Sequence, residues 1–245
     1  MMWRSSFSLG RIGDVRLELH LSATVAVTVL TSVLALGLLP VTAPDEPTVR
    51  YWFGGLAVTL ALLASVVVHE LAHALVGRRY GVRTRRVTLW LFGGAAERAG
   101  TPPSPRAEAL IAAAGPGTSA ALGLACWLLA LLVDPVLPSV PLVSLLWLGT
   151  ANLVFAGIAL LPGAPLDGGG LVRALVWART NDRQHAGQVA DRCGKTLGAA
   201  LVAGGVVEVV LFGQFVGIWL AVLGWALLGI AGVERLHPNT DPVSP

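Results

Sequence analysis

The sequence predicts an all-α polytopic membrane protein with about six transmembrane helices and a short re-entrant β-hairpin between helices 2 and 3. Three observations carry that prediction. Hydrophobic residues make up 55% of the chain and charged ones 13%, for a mean hydropathy of +0.73, outside the range of a soluble core. Uncharged runs fall at Leu21–Pro44, Tyr51–Val68, Ala109–Val133, Pro135–Leu166, Thr196–Val207 and Val209–Val233, and a span needs roughly 20 apolar residues. Between the second and third runs lies a segment of strand-like composition that is too short and too glycine-broken to span.

The expected spans are 21–39, 51–77, 107–133, 141–163, 196–212 and 216–233, the last two parted only by Gly213-Gln214. With both termini in the cytoplasm, every one of the 17 Lys and Arg residues except Arg50 falls on that side. Such asymmetry orients a membrane protein, and it explains the basic excess without nucleic acid. Arg outnumbers Lys strongly, a bias that points to a GC-rich bacterial genome. Cys126 and Cys193 make neither a disulfide framework nor a cysteine metal site.

Residues 1–20 carry Arg4, Arg11, Asp14, Arg16 and Glu18 and feed directly into the first apolar run. A secretory signal has a shorter apolar region, so this span is expected to stay uncleaved. His20 at its mouth reads as an interfacial hydrogen-bonding residue. The loop 40–50, with Pro40, Pro44 and Pro47, has no room for a domain.

The second span holds His69-Glu70-Leu71-Ala72-His73 before it ends at Gly77-Arg78-Arg79-Tyr80-Gly81. A helix turns about 100° per residue, so His69 and His73 project from one face. Two imidazoles at that spacing can hold two corners of a tetrahedral Zn²⁺, and Glu70 beside them can take a proton from water. Shuffling this composition would produce the pattern only ~0.002 times per chain. Ionisable groups inside a span are costly and normally serve a function. The arginines follow roughly 12–15 Å further along the helix, which sets the pair within the membrane nearer the cytoplasm.

Val82–Arg98 carries the hairpin signal at Gly93-Gly94. Non-helical backbone at membrane depth is tolerated only where protein or a cavity buries it. An exposed edge there could pair with an extended peptide. The other reading is an interfacial loop whose Trp90 and Phe92 anchor at the headgroups. Pro102-Pro103-Ser104-Pro105 precedes the third span, whose Ala114-Gly115-Pro116-Gly117 is by itself ordinary close helix packing.

The fourth span ends in Leu161-Pro162-Gly163-Ala164-Pro165-Leu166-Asp167-Gly168-Gly169-Gly170, which must break the helix. Asp167 has two readings. It can cap a helix over Gly168–Arg179, or, on the same side of the membrane as the histidines, it can supply a third metal ligand. Asn181–Lys195 reads as a polar connector. Glu208 is a lone acid in the fifth span, either bonded to a neighbouring helix or near a substrate path.

Four motifs, His69-Glu70-Leu71-Ala72-His73, Leu91-Phe92-Gly93-Gly94-Ala95, Ala114-Gly115-Pro116 and Leu161 to Gly169, occur in one order. Together they resemble the site-2 protease family of intramembrane zinc metalloproteases, over roughly residues 10–235. The resemblance implies that His69, His73 and Asp167 bind one Zn²⁺ and that Glu70 is the base. It implies that the segment around Phe92, Gly93 and Gly94 presents substrate as an added strand. One position departs from the family pattern. An Asn commonly stands where this chain has Ala159, and Asn152 lies seven residues upstream on nearly the same face. Seven residues are ~10.5 Å of helix, so Asn152 can stand in only if the helix is broken.

The expected function is endopeptidase cleavage within or next to a transmembrane segment, acting on single-pass regulators such as anti-sigma factors. The partners are that transmembrane substrate and the lipid bilayer. The alternatives are a membrane metal-binding or transport protein, and a catalytically silent relative. The expected organisation is one membrane-embedded domain over 1–235 and a polar tail over 236–245, without a PDZ or CBS domain.

Overall fold

The computed structural model describes residues 6–90, 93–133 and 139–233. The chain is mostly helical and divides into two compact units, residues 1–103 with 114–157 and residues 104–113 with 158–245. Among the described residues five helices are long and apolar enough to cross a membrane: Leu21–Thr42 (α1), Thr48–Arg79 (α2), Pro105–Val133 (α3), Ser139–Ala159 (α4) and Arg183–Phe212.

In the first unit, α1 and α2 form the crossover between two parallel strands. Four strands, β1 (Ser6–Ile12), β2 (Val15–His20), β3 (Arg83–Trp90) and β4 (Gly93–Ala99), pair in that order. The outer pairs are antiparallel, and β2 runs parallel to β3 with Leu17 opposite Val87 and Leu19 opposite Leu89. Parallel strands need a long connection, and here it is one helix out and one helix back. His20 ends β2 and caps α1, its Nδ1 accepting from the Ser22 amide at 3.2 Å. At the other end α2 stops after Arg78 and Arg79. Gly81, at φ +79°, turns the chain into β3 in a conformation that side chains resist.

Of the polar lead-in expected over residues 1–20, the described part, residues 6–20, is thus a hairpin of a larger sheet. Its local sign is the alternation Val15-Arg16-Leu17-Glu18-Leu19, which puts Val15 and Leu17 on one face. They bury with Val87, Leu89 and Ala74 of α2. Across the sheet Glu18 accepts from Ser6 Oγ at 3.0 Å and from Arg86 at 3.3 Å, and Arg86 reaches Glu97 at 3.2 Å. These partly exposed pairs each contribute about 0–1 kcal/mol and chiefly fix register. A second cluster, Leu34, Ala35, Leu39, Ala43, Tyr51, Val58 and Val140, packs α1, α2 and the start of α4. Tyr51 closes the 43–47 loop, its hydroxyl donating to Ala43 O at 2.8 Å and accepting from the Glu46 amide at 3.1 Å.

In the second unit the chain leaves α4 at Ala159 and folds through a cis Ala164–Pro165 bond into Asp167–Thr180 (α5). Helix α6 (Arg183–Phe212) follows after Asp182, whose carboxylate accepts from the His185 amide at 2.9 Å. The connector expected over 181–195 is therefore the first half of a 30-residue helix. The Asp182 cap starts it, and Ala, Gln, Arg and Lys sustain it. Gly213 ends α6, and Val216–Val233 (α7) runs back, apolar over Val216–Gly229. A Cβ on Gly198 would stand 3.0 Å from Gly224 O, so backbone meets backbone along this pair as small residues allow. Glu108, in the first turn of α3, is buried and paired with Arg173 of α5.

Candidate metal centre

The histidines stand well inside α2, with nine residues between His69 and the C-terminal residue of the helix, Arg79. Their spacing stacks the side chains on one face, and tertiary contacts seal that face: His69 is 3% exposed and His73 2%, while Glu70, turned about 100° away, is 7% exposed. The ring centroids are 4.9 Å apart and the two Nε2 atoms 3.2 Å apart. Two nitrogens bound to one tetrahedral Zn²⁺ at ~2.0–2.1 Å would lie ~3.3–3.4 Å apart, close to the separation of this pair.

Gly115 of α3 makes the space beside those nitrogens. A Cβ there would stand 2.5 Å from His69 Nε2 and would overlap His73 Nε2. One turn along α3, Ser119 Oγ lies 2.9 Å from His69 Nδ1, and Ser119 is fully buried. Phe155 of α4 meets the His69 ring edge-on at 5.0 Å. The Ala114-Gly115-Pro116 stretch, ordinary packing when read alone, is thus the wall of the histidine pair. Neither Ser119 nor Phe155 was singled out from sequence. The available sign for Ser119 was a hydroxyl four residues after Gly115, on the same face of the helix.

Glu70 faces the sheet. A Cβ on Gly94 of β4 would stand 2.5 Å from Glu70 Cγ and 2.7 Å from its Oε1, so the carboxyl group lies directly against the strand. Gly93 approaches Phe155, at 3.9 Å for the corresponding Cβ. Phe92, expected beside them, falls outside the described residues.

Asn152 is 1% exposed and turned towards α2, where its Nδ2 donates to Ser65 Oγ at 3.3 Å and to Leu148 O at 3.0 Å. Ser65 is one turn before His69. Ala159 is the last residue of α4 and is buried. Asp167, in the second unit, is the first residue of α5. Leu166 holds the cap position, at φ −69° and ψ 159°, with no side-chain cap. The helix therefore starts one residue earlier than expected, and the capping role is not the one Asp167 fills.

Fold and site together define a polytopic membrane protein with a buried His-Glu-x-x-His helix facing a small sheet. Residues 57–142 match Peptidase family M50, a stretch that takes in His69, Glu70, His73, β3, β4, Gly115 and Ser119. This stretch is a Peptidase M50 (site-2 protease) family domain. The chain is 42% identical over 239 residues to Rip3 of Mycobacterium tuberculosis, covering 97% of this chain and 61% of that protein. It is 35% identical over 184 residues to sll0528 of Synechocystis, 74% of this chain and 47% of that one. Both relatives are named as zinc metalloproteases. The chain thus spans about three fifths of Rip3 and about half of sll0528. Its fold matches the site-2 protease of Methanocaldococcus jannaschii with a TM-score of 0.64 at 23% identity, covering 98% of this chain and 100% of the other.

Proposed function

We propose that this chain is an intramembrane zinc endopeptidase that hydrolyses a peptide bond within or next to a transmembrane segment of a membrane-anchored protein. The observation that carries the reading is the buried pair of Nε2 atoms 3.2 Å apart, with space kept beside them by Gly115 and with Glu70 one residue along. A catalytic Zn²⁺ takes three protein ligands and keeps one position open. His69 and His73 supply two nitrogens. Asp167, a carboxylate at a helix start where it is not the cap, supplies the third ligand. Zinc, when bound, would act as a Lewis acid, lowering the pKa of water towards neutrality and polarising a peptide carbonyl.

Glu70 is the general base. Its carboxylate accepts a proton from water as the water oxygen bonds to the scissile carbon. The same proton passes to the amide nitrogen as the carbon–nitrogen bond breaks. A helical substrate hides its carbonyls in hydrogen bonds, so it must be extended before attack. Strand β4 is last in the sheet order, and its outer edge can take an extended peptide as a further strand. Gly94 on that strand touches the Glu70 carboxyl group, which brings the edge to the base. The re-entrant reading of β3 and β4 draws support from the same contact, since Glu70 stands nine residues inside the end of α2. A metal carrier would need the ligands but neither a buried base nor a strand edge beside it.

The arginine distribution supports cytoplasmic termini, and residues 1–235 act as one membrane-embedded catalytic domain in a bacterial cell membrane. Single-pass regulators, of the anti-sigma-factor kind, are the substrate class. Co-expression with candidate single-pass proteins tests the reading. The wild type should trim its substrate, whereas Glu70→Gln should retain zinc and release no fragment. Persistent cleavage by that variant would refute Glu70 as base, and loss of its zinc would make Glu70 a ligand.

A further inference from the structure

We infer that Ser119 is the positioning residue of the metal site: its hydroxyl oxygen accepts the Nδ1 proton of His69 and so fixes Nε2 as the electron-pair donor. A neutral imidazole carries one N–H, and the partner of one ring nitrogen decides the state of the other. Ser119 Oγ and His69 Nδ1 are 2.9 Å apart, and the two residues are 0% and 3% exposed, so water does not compete for the bond. With the proton held at Nδ1, the lone pair sits on Nε2, the atom that faces His73 Nε2 at 3.2 Å.

The arrangement also fixes rotation. Rotating the ring by half a turn would set a carbon against the Ser119 hydroxyl and turn Nε2 away from His73. Phe155, packed edge-on at 5.0 Å, restricts that movement. One face of α3 therefore serves both ends of the imidazole. Gly115 leaves room beside Nε2, and Ser119, four residues on, engages Nδ1. Outer partners of metal-binding histidines typically matter 10–100-fold in metal affinity.

The inference rests on His69 holding the metal, and the experiment separates the two. The purified chain in detergent is titrated with Zn²⁺ against a chromophoric chelator, and the zinc-free melting temperature is recorded for each variant. Ser119→Ala should weaken zinc binding about 10–100-fold, while Ser119→Thr, which keeps the hydroxyl, should stay within about threefold of wild type. Ser119→Val repeats the comparison with the shape of Thr and no hydroxyl, and should behave as Ser119→Ala does. A purely structural serine would lower the melting temperature and leave zinc affinity unchanged. Equal affinities for Thr and Val, or an Ala variant within about threefold of wild type, would overturn the inference. A wild type that binds no zinc, or a His69→Ala variant that binds as wild type does, would instead overturn the metal site.

Discussion

Gly115→Ala is the smallest substitution that tests the geometry of the metal centre. The added methyl would stand 2.5 Å from His69 Nε2 and closer still to His73 Nε2. Ordinary contact begins near 3.4 Å, so something must move by about 1 Å. The imidazoles have little freedom to do so, because both are buried and His69 is bonded to Ser119. Overpacking of this kind costs about 1–3 kcal/mol. If the helices relieve the clash by parting, the cost falls on folding. If the rings relieve it, the Nε2 atoms leave their converged position and the cost falls on metal binding. At about 1.4 kcal/mol per tenfold, the second route weakens zinc about 5–150-fold. Gly117→Ala is the control, since a Cβ there meets nothing within 4 Å. It should leave zinc untouched and, as a helical Gly→Ala change, raise stability by up to about 1 kcal/mol. Chelator competition and thermal melting of the two variants read both routes. Wild-type zinc affinity and wild-type stability together in Gly115→Ala would refute the description of Gly115 as the wall of the site.

Three further outcomes are expected. Ala159→Asn should raise turnover of an identified substrate by at most ~10²-fold if the usual Asn acts as an oxyanion donor here. Because Ala159 is buried, stability is measured on the same variant, and a slower enzyme of unchanged stability would deny that role. A reporter fused after Pro245 should be cytoplasmic and one inserted in the 43–47 loop external; the reverse result would move the site towards the other leaflet. In that loop the hydrogen bonds from Arg50 and from the Ser139 hydroxyl hold the Glu46 carboxyl below the usual range. A depressed carboxyl contributes stability above its unfolded pKa and loses it as pH falls through the folded one. Amide exchange over residues 43–50 should therefore stay slow at neutral pH and accelerate, relative to intrinsic rates, once the medium is more acidic than that folded value. A Glu46→Gln variant should show no such step.

What could be read from the sequence was local. Apolar runs announced the helices, because a lipid-facing helix must be apolar along its whole length. His69 and His73 were legible as a pair because helical spacing alone puts residues four apart on one face. The glycine and proline run after Leu161 announced the broken helix, since those residues cannot continue one. Asp167 emerged as a helix-start carboxylate, although its capping role depended on where the first turn begins. The remainder was decided by pairings distant in the chain. Residues 16–19 become the centre of a sheet only because they meet residues 86–89 across two helices, and alternation over six residues does not name its partner. Ser119 reaches His69 across 50 residues, and Gly115 is a site residue only because α3 passes beside two imidazoles. Spacing along one helix sets which side chains share a face. Which helix, strand or hydroxyl that face meets is set by packing, and packing is where this histidine pair acquires its wall, its hydrogen-bonding partner and its neighbouring strand.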